Sequence, residues 1–246
     1  MSFIAVIPAR FRSTRLPGKP LLDIAGQPMI QHVYARAQSS RADRVFVATD
    51  DQRIEDVVRG FGGECLMTAS DHPTGTDRLA EVADVLGLAA NVIIVNVQGD
   101  EPLLPASAIH QVADMLIAHP EASIATLCEP IQDASDIDDP NQVKVVKSCS
   151  GQALYFSRAR IPGHPTSVIG AHYRHIGLYA YRAGFLRNFR TWEPTPLERF
   201  ERLEQLRALE HDCLIQVDVA WESIPPGVDT EEDLVSIRRH LENPSV

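Results

Sequence analysis

The run Val92-Ile93-Ile94-Val95 narrows what this chain can fold into more than any other feature. Four consecutive apolar residues leave no polar face, so the strand predicted over 91–97 must be covered on both sides and lie centrally in a sheet. The surrounding sequence supplies the cover. Short apolar runs alternate with amphipathic stretches through the first half, the pattern of a parallel sheet wrapped by crossover helices. Strands are predicted at 3–7, 44–49, 66–67 and 123–127, and helices at 51–61, 76–86 and 107–118. A further helix starts after Gly26-Gln27-Pro28 and carries Ile30, Val33, Tyr34 and Ala37 on one face.

After about residue 131 the pattern changes to strands that follow one another, at 143–146, 153–156 and 175–181, before two helices near 196–210 and 230–241. This predicts a smaller mixed sheet inserted into the main one. No internal repeat and no low-complexity linker interrupts the 246 residues. The expected fold class is therefore α/β and Rossmann-like, a single domain over 1–246 with a mostly parallel central sheet and a smaller mixed β subdomain at about 131–190. In an open sheet of this kind, ligands gather beyond the carboxyl ends of the strands.

A hydrophobic content of 44% suffices for a sizeable core. The formal charge of −10, from 23 Lys and Arg against 33 Asp and Glu, argues against a nucleic-acid coat or an anionic-membrane binder. Cys65, Cys128, Cys149 and Cys213 are scattered without metal or disulfide spacing. The amino terminus reads straight into a strand, without signal-peptide features, and no apolar run approaches the ~20 residues of a membrane helix. A cytoplasmic protein is expected.

Against this acidic background, Arg10, Arg12, Arg15 and Lys19 lie between Pro8 and Pro20 with no acidic residue among them, a +4 stretch in a chain whose remainder sums to −14. A solvated basic loop needs no ligand. This one, however, directly follows the first strand and contains Ser13, Thr14 and Gly18, so it can aim backbone N–H groups and cations together at a polyphosphate. Neither G-x-x-x-x-G-K-[ST] nor G-x-G-x-x-G is present, which argues against a P-loop NTPase and a dinucleotide-binding oxidoreductase. The central strand runs out into Gln98-Gly99-Asp100-Glu101-Pro102. In isolation that string is a turn, but beside a phosphate-binding loop Asp100 suits Mg²⁺, which prefers carboxylate, water and phosphate oxygens.

Ile7-Pro8-Ala9-Arg10 followed by Ser13-Thr14-Arg15-Leu16-Pro17-Gly18-Lys19-Pro20-Leu21 resembles the opening loop of sugar nucleotidyltransferases that use CTP, in the form closest to the cytidylyltransferases of 3-deoxy-D-manno-octulosonate (Kdo). The resemblance runs from residue 3 to about 235 and includes Ala153-Leu154-Tyr155-Phe156-Ser157-Arg158, whereas Pro162-Gly163-His164-Pro165-Thr166 matches no motif. It implies a nucleotide-diphospho-sugar transferase fold, CTP and Kdo as substrates, Mg²⁺ as cofactor, and a homodimer formed through the subdomain. Cytidylyltransferases for 8-amino-Kdo or sialic acid are the alternative.

The resemblance also assigns residues. The basic loop, with Ala9, Arg10, Ser13, Arg15 and Lys19, would hold the triphosphate. Asn96-Val97-Gln98-Gly99-Asp100-Glu101-Pro102 resembles the family's metal motif, and Asp229, in Pro226-Gly227-Val228-Asp229, matches its second metal ligand. Thr230 and Asp233 can cap the last helix. Lys19, Asp100 and Asp229 are thus the expected catalytic residues. Thr74-Gly75-Thr76-Asp77-Arg78 resembles the nucleotide-site segment S-G-T-E-R, which adds Gly75, Thr76 and Arg78, with Gln98, to the nucleotide contacts. Arg174-His175-Ile176-Gly177 resembles a sugar-site strand on which His175, Gly177, Tyr179 and Tyr181 share one face. In the helix predicted over 197–209, Leu197, Phe200, Leu203, Leu206 and Leu209 recur every third residue, so more than one side should be covered and Glu204 needs a partner. Leu203-Glu204-Gln205-Leu206-Arg207 resembles L-E-Q-L-R. The implied sugar contacts are Gln98, His175, Tyr179, Glu204 and Gln205.

Overall fold

The computed structural model describes residues 2–12, 16–163 and 170–242. Its first strand, β1 (Phe3–Ala9), leads through a small hairpin of β2 (Asp23–Ile24) and β3 (Gln27–Pro28) into α1 (Met29–Gln38). There follow β4 (Arg44–Thr49), α2 (Gln52–Gly60), β5 (Glu64–Met67), α3 (Gly75–Val85), β6 (Ile93–Asn96), α4 (Ala106–Ala118) and β7 (Ile124–Pro130). The second half contains β8 (Lys144–Lys147), β9 (Ala153–Ser157), β10 (Tyr173–Arg182), α5 (Ala183–Phe189), α6 (Pro196–Glu201), α7 (Gln205–Glu210), β11 (Ile215–Val219) and α8 (Glu231–Glu242).

The main sheet has the order β11-β7-β10-β6-β1-β4-β5, and every neighbouring pair is parallel except those made by β10. β6 is central, as its apolar run requires. Ile93 and Val95 pack beneath α1 and α4, on the face that also receives Ile54 and Val58 of α2. Ile94 packs on the opposite face against Leu79 of α3, Phe185 of α5 and Leu206 of α7. A third, smaller cluster joins Leu234 and Ile237 of α8 to Leu16, Ile24 and Val228, which seats the end of the chain beside the loop after β1. Among the described residues, no helix is long and apolar enough to cross a membrane.

The strands around 131–190 join the main sheet through β10. β10 is a full member of the main sheet, antiparallel to both β6 and β7, and its first residues also carry β8, which pairs in turn with β9. Lys144 clamps the base of this hairpin. Its fully buried ammonium donates to the carbonyls of Asp139 (2.8 Å), Gln142 (2.6 Å) and Arg158 (2.7 Å), so all three protons are used.

The helix predicted over 197–209 is two helices. Arg202 takes a left-handed backbone (φ 56°) between α6 and α7. A three-residue apolar spacing cannot stay on one face of a 3.6-residue helix, and the break resolves the mismatch by turning Leu203 and Leu206 into the core. The expected cover on more than one side is absent: α6 buries nothing, and Phe200 is 86% exposed. α5 and β11 are additional to the sequence-based elements.

Candidate active site

The carboxyl ends of β1 and β6 open into a cavity of about 410 Å³ lined by Ala9, Arg10, Arg12, Lys19, Gly75, Gln98, Gly99, Asp100 and Asp229 among others. Its geometry depends on two glycines. Gly18 has φ 69°, in the left-handed region, and its N–H donates to the Phe11 carbonyl (3.0 Å), which closes the basic loop. A Cβ on Gly99 would lie 2.9 Å from the Pro8 carbonyl oxygen, so only glycine lets the exits of β1 and β6 approach this closely. The loop is further pinned where the Arg53 guanidinium, itself held by Asp51, stacks on the Phe11 ring at 3.3 Å. Arg10 donates to the carbonyls of His72 (2.7 Å) and Thr74 (3.0 Å), tying the loop to the entry of α3.

Lys19, at the start of a 3₁₀ turn (Lys19–Leu21), is the centre of the site. Its Nζ donates to Asp100 Oδ2 (2.6 Å), Asp229 Oδ1 (3.1 Å) and the Val228 carbonyl (2.6 Å). Three segments distant in sequence thus meet on one ammonium. The Val228 N–H donates to the Asp100 carbonyl (2.8 Å), so the backbone joins the two carboxylate-bearing segments directly. Asp233 accepts from the N–H groups of Asp229 (2.9 Å) and Thr230 (2.8 Å), which fixes the turn into α8 and holds its carboxyl below the usual carboxylate range. Glu101 does not line the cavity; burial, with the neighbouring Asp100 charge, pushes its carboxyl up to about 8.

A second cavity, of about 270 Å³, adjoins the first through Gly75 and Gln98, which line both. Here Thr76, Asn96, Tyr179, Glu204 and Gln205 surround the space over a floor of Tyr181, Phe185 and Phe189. Glu204 has the partner that its position demands, accepting a hydrogen bond from Thr76 Oγ1. Burial raises its carboxyl pKa while the hydroxyl opposes the shift. Thr76 is placed by the capping box of α3, in which Thr74 accepts from the Asp77 N–H and Asp77 accepts from the Thr74 N–H.

Most of the expected site residues are brought together here, and two are not. Arg78 is fully buried outside both linings: it donates to Thr68 Oγ1, lies 3.5 Å from Asp50, and has Nε and Nη2 without hydrogen-bond partners among the described residues. His175 keeps the expected face but stands behind Tyr179, its ring edge-on to Phe156 at 5.0 Å. The Thr126 hydroxyl has one proton and two carbonyls, Ile176 and Leu178, within reach. It therefore accepts from His175, whose Nε2 carries the proton at 3.0 Å. Burial lowers the imidazole to about 3, so the ring is neutral. Ser13 and Arg15 lie outside the described residues. Asn96 and Arg12 line the cavities without having been assigned to them; for Asn96 the available signal was its position two residues before Gln98, on the same strand face.

An open, mostly parallel sheet with a cation-bearing cleft across its strand ends defines a Rossmann-like nucleotide-binding protein. Residues 4–218 match the family model described as Cytidylyltransferase, and the chain belongs to that family. It is 58% identical to the 3-deoxy-manno-octulosonate cytidylyltransferase of Hahella chejuensis, with 96% of each chain covered. It is likewise 58% identical to the protein of that name from Pseudomonas fluorescens, with 98% of each covered. Among solved structures it is similar to CMP:2-keto-3-deoxy-manno-octonic acid synthetase complexed with CTP (41% identity, TM-score 0.92, 99% of this chain and 100% of that one). 4-Diphosphocytidyl-2C-methyl-D-erythritol synthase shares the fold at 14% identity and a TM-score of 0.66, with 98% of each covered.

Proposed function

We propose that this cleft transfers CMP from CTP to Kdo, giving CMP-Kdo and pyrophosphate for lipopolysaccharide synthesis. The observation that carries this reading is the meeting of Lys19, Asp100 and Asp229 in one cavity that opens onto a second, polar one. The larger cavity takes the triphosphate. Arg10, Arg12 and Lys19 give it the positive potential that a polyanion requires, and Gly75 adds the amino-terminal end of α3. The smaller cavity takes the sugar, whose hydroxyls meet Gln98, Glu204 and Gln205. Gln98 lies where the two substrates meet.

In the reaction, a sugar hydroxyl oxygen forms a bond to the α-phosphorus while the bond from that phosphorus to the pyrophosphate oxygen breaks, and the hydroxyl proton leaves. Holding the two substrates on either side of Gly75 and Gln98 converts a bimolecular encounter into a positioned one. Lys19 balances phosphate charge that develops on the leaving group.

The donor set fits Mg²⁺: Asp100 and Asp229 offer hard oxygen ligands that converge on a single ammonium, and among the described residues no Cys or His lines the cavity. When bound, the ion neutralises phosphate charge and lowers the pKa of the attacking hydroxyl. The reading also includes a cytoplasmic location and a homodimer assembled through the β8–β9 hairpin, where β9 is an outer strand with Leu154 62% exposed.

The test is initial-rate pyrophosphate release with CTP, Mg²⁺ and purified sugars. Release with Kdo that exceeds release with sialic acid at least tenfold, and that stops on chelation with EDTA, is expected. No release with Kdo, or equal rates with both sugars, would overturn the assignment.

A further inference from the structure

Asn96 lines the smaller cavity beside Gln98 and Glu204. Alternation along β6 sends Ile93 and Val95 into the core beneath α1 and α4, and puts Ile94 and Asn96 on the opposite face. Asn96 is 4% exposed and lies directly across from Tyr179 of β10. Its Oδ1 is buried with no hydrogen-bond partner among the described residues, although the residue borders the cavity. A buried amide oxygen left without a partner is destabilising, and a leucine of similar size would remove the penalty. A polar side chain kept there against that penalty is explained by a ligand that satisfies it.

We infer that the Asn96 carboxamide hydrogen-bonds a hydroxyl of the sugar acceptor and so helps the enzyme select a polyol. A carboxamide carries both donors and an acceptor, which complements a hydroxyl in either sense. Glu204 and Gln205, from the loop and helix at α7, offer polar groups to the same space. The sugar is thereby held between the sheet and the α7 end of the cleft. The inference rests on the sugar occupying the smaller cavity, as proposed above.

The test replaces Asn96 by leucine and measures three quantities. The thermal midpoint should stay level or rise, because an unpaired buried amide is gone. KM for Kdo should rise about tenfold, the worth of one hydrogen bond, with KM for CTP unchanged. Across Kdo analogues each lacking one hydroxyl, one analogue should lose affinity in the wild type yet none further in Asn96→Leu. If Asn96→Leu fails to fold, Asn96→Ala is measured in the same way. A folded variant with KM for Kdo within twofold of wild type would overturn the inference, as would analogues that lose the same factors in both backgrounds. Failure of the underlying functional reading is separate, since wild type would then release no pyrophosphate with Kdo.

Discussion

Lys19 lies on the loop after β1, yet its side chain is only 14% exposed and its three partners hold it in place. Asp100 was legible because a strand end followed by Gly, Asp and Glu offers a carboxylate where ligands gather. The role of Asp229 rested on resemblance alone. Spacing could not join positions that the fold brings together through the Lys19 ammonium and the Val228 to Asp100 backbone bond. Asp100→Asn keeps size and removes the charge a hard cation requires, so turnover should fall roughly 10²-fold with circular dichroism unchanged. Asp229→Asn should lower it as well, and the double variant should lose less than the product of the two, measured by pyrophosphate release at saturating substrates. Additive losses would show that the carboxylates act independently. A second expectation concerns His175. The fold holds it neutral down to about 3, whereas the unfolded imidazole protonates near 6.5. The unfolded state thus binds more protons in that window, and this contribution to stability is full above 6.5 and declines as pH falls toward 3. Between pH ~6.5 and ~5, wild type should lose about 1 kcal/mol per pH unit more than His175→Asn, read from urea midpoints. Parallel curves would place the proton elsewhere.

At the scale of elements, periodicity was enough for β6, α1 and α4, whose apolar residues fall where the core is. It misled at 197–209, where the apolar residues at every third position look like one helix but span two helices and the turn between them. β11 carries a readable alternation in Ile215-Gln216-Val217-Asp218-Val219 that is weaker than the helical signals around it. α5 is seven residues long, too short for helical periodicity to register. β10 is legible as a strand, but its place between β6 and β7 is not, since nothing local distinguishes an antiparallel strand within a parallel sheet from a strand of the hairpin beside it. The buried Lys144 was equally invisible, because its partners are backbone carbonyls and carry no side-chain signature. Lys144→Met should cost about 3 kcal/mol in chemical denaturation, as three carbonyls lose their donor. A loss below about 0.5 kcal/mol would mean that water replaces the ammonium there.

Over the whole molecule, β1 and β6 deliver residues to the cleft from their carboxyl ends, whereas antiparallel β10 delivers Tyr179 from its middle. The proposed homodimer belongs to this scale. Light scattering at micromolar concentration should give twice the 27.2 kDa chain mass, and Leu154→Lys on the outer strand should shift it toward one copy. A wild-type monomer would exclude the assembly. The wall shared by the two cavities carries its own consequence. Since Gly75 and Gln98 face both, a molecule seated on one side completes the surface met by the other. Thermodynamic linkage then makes the benefit mutual: whatever factor the nucleotide adds to sugar affinity, the sugar must return to the nucleotide, whichever arrives first.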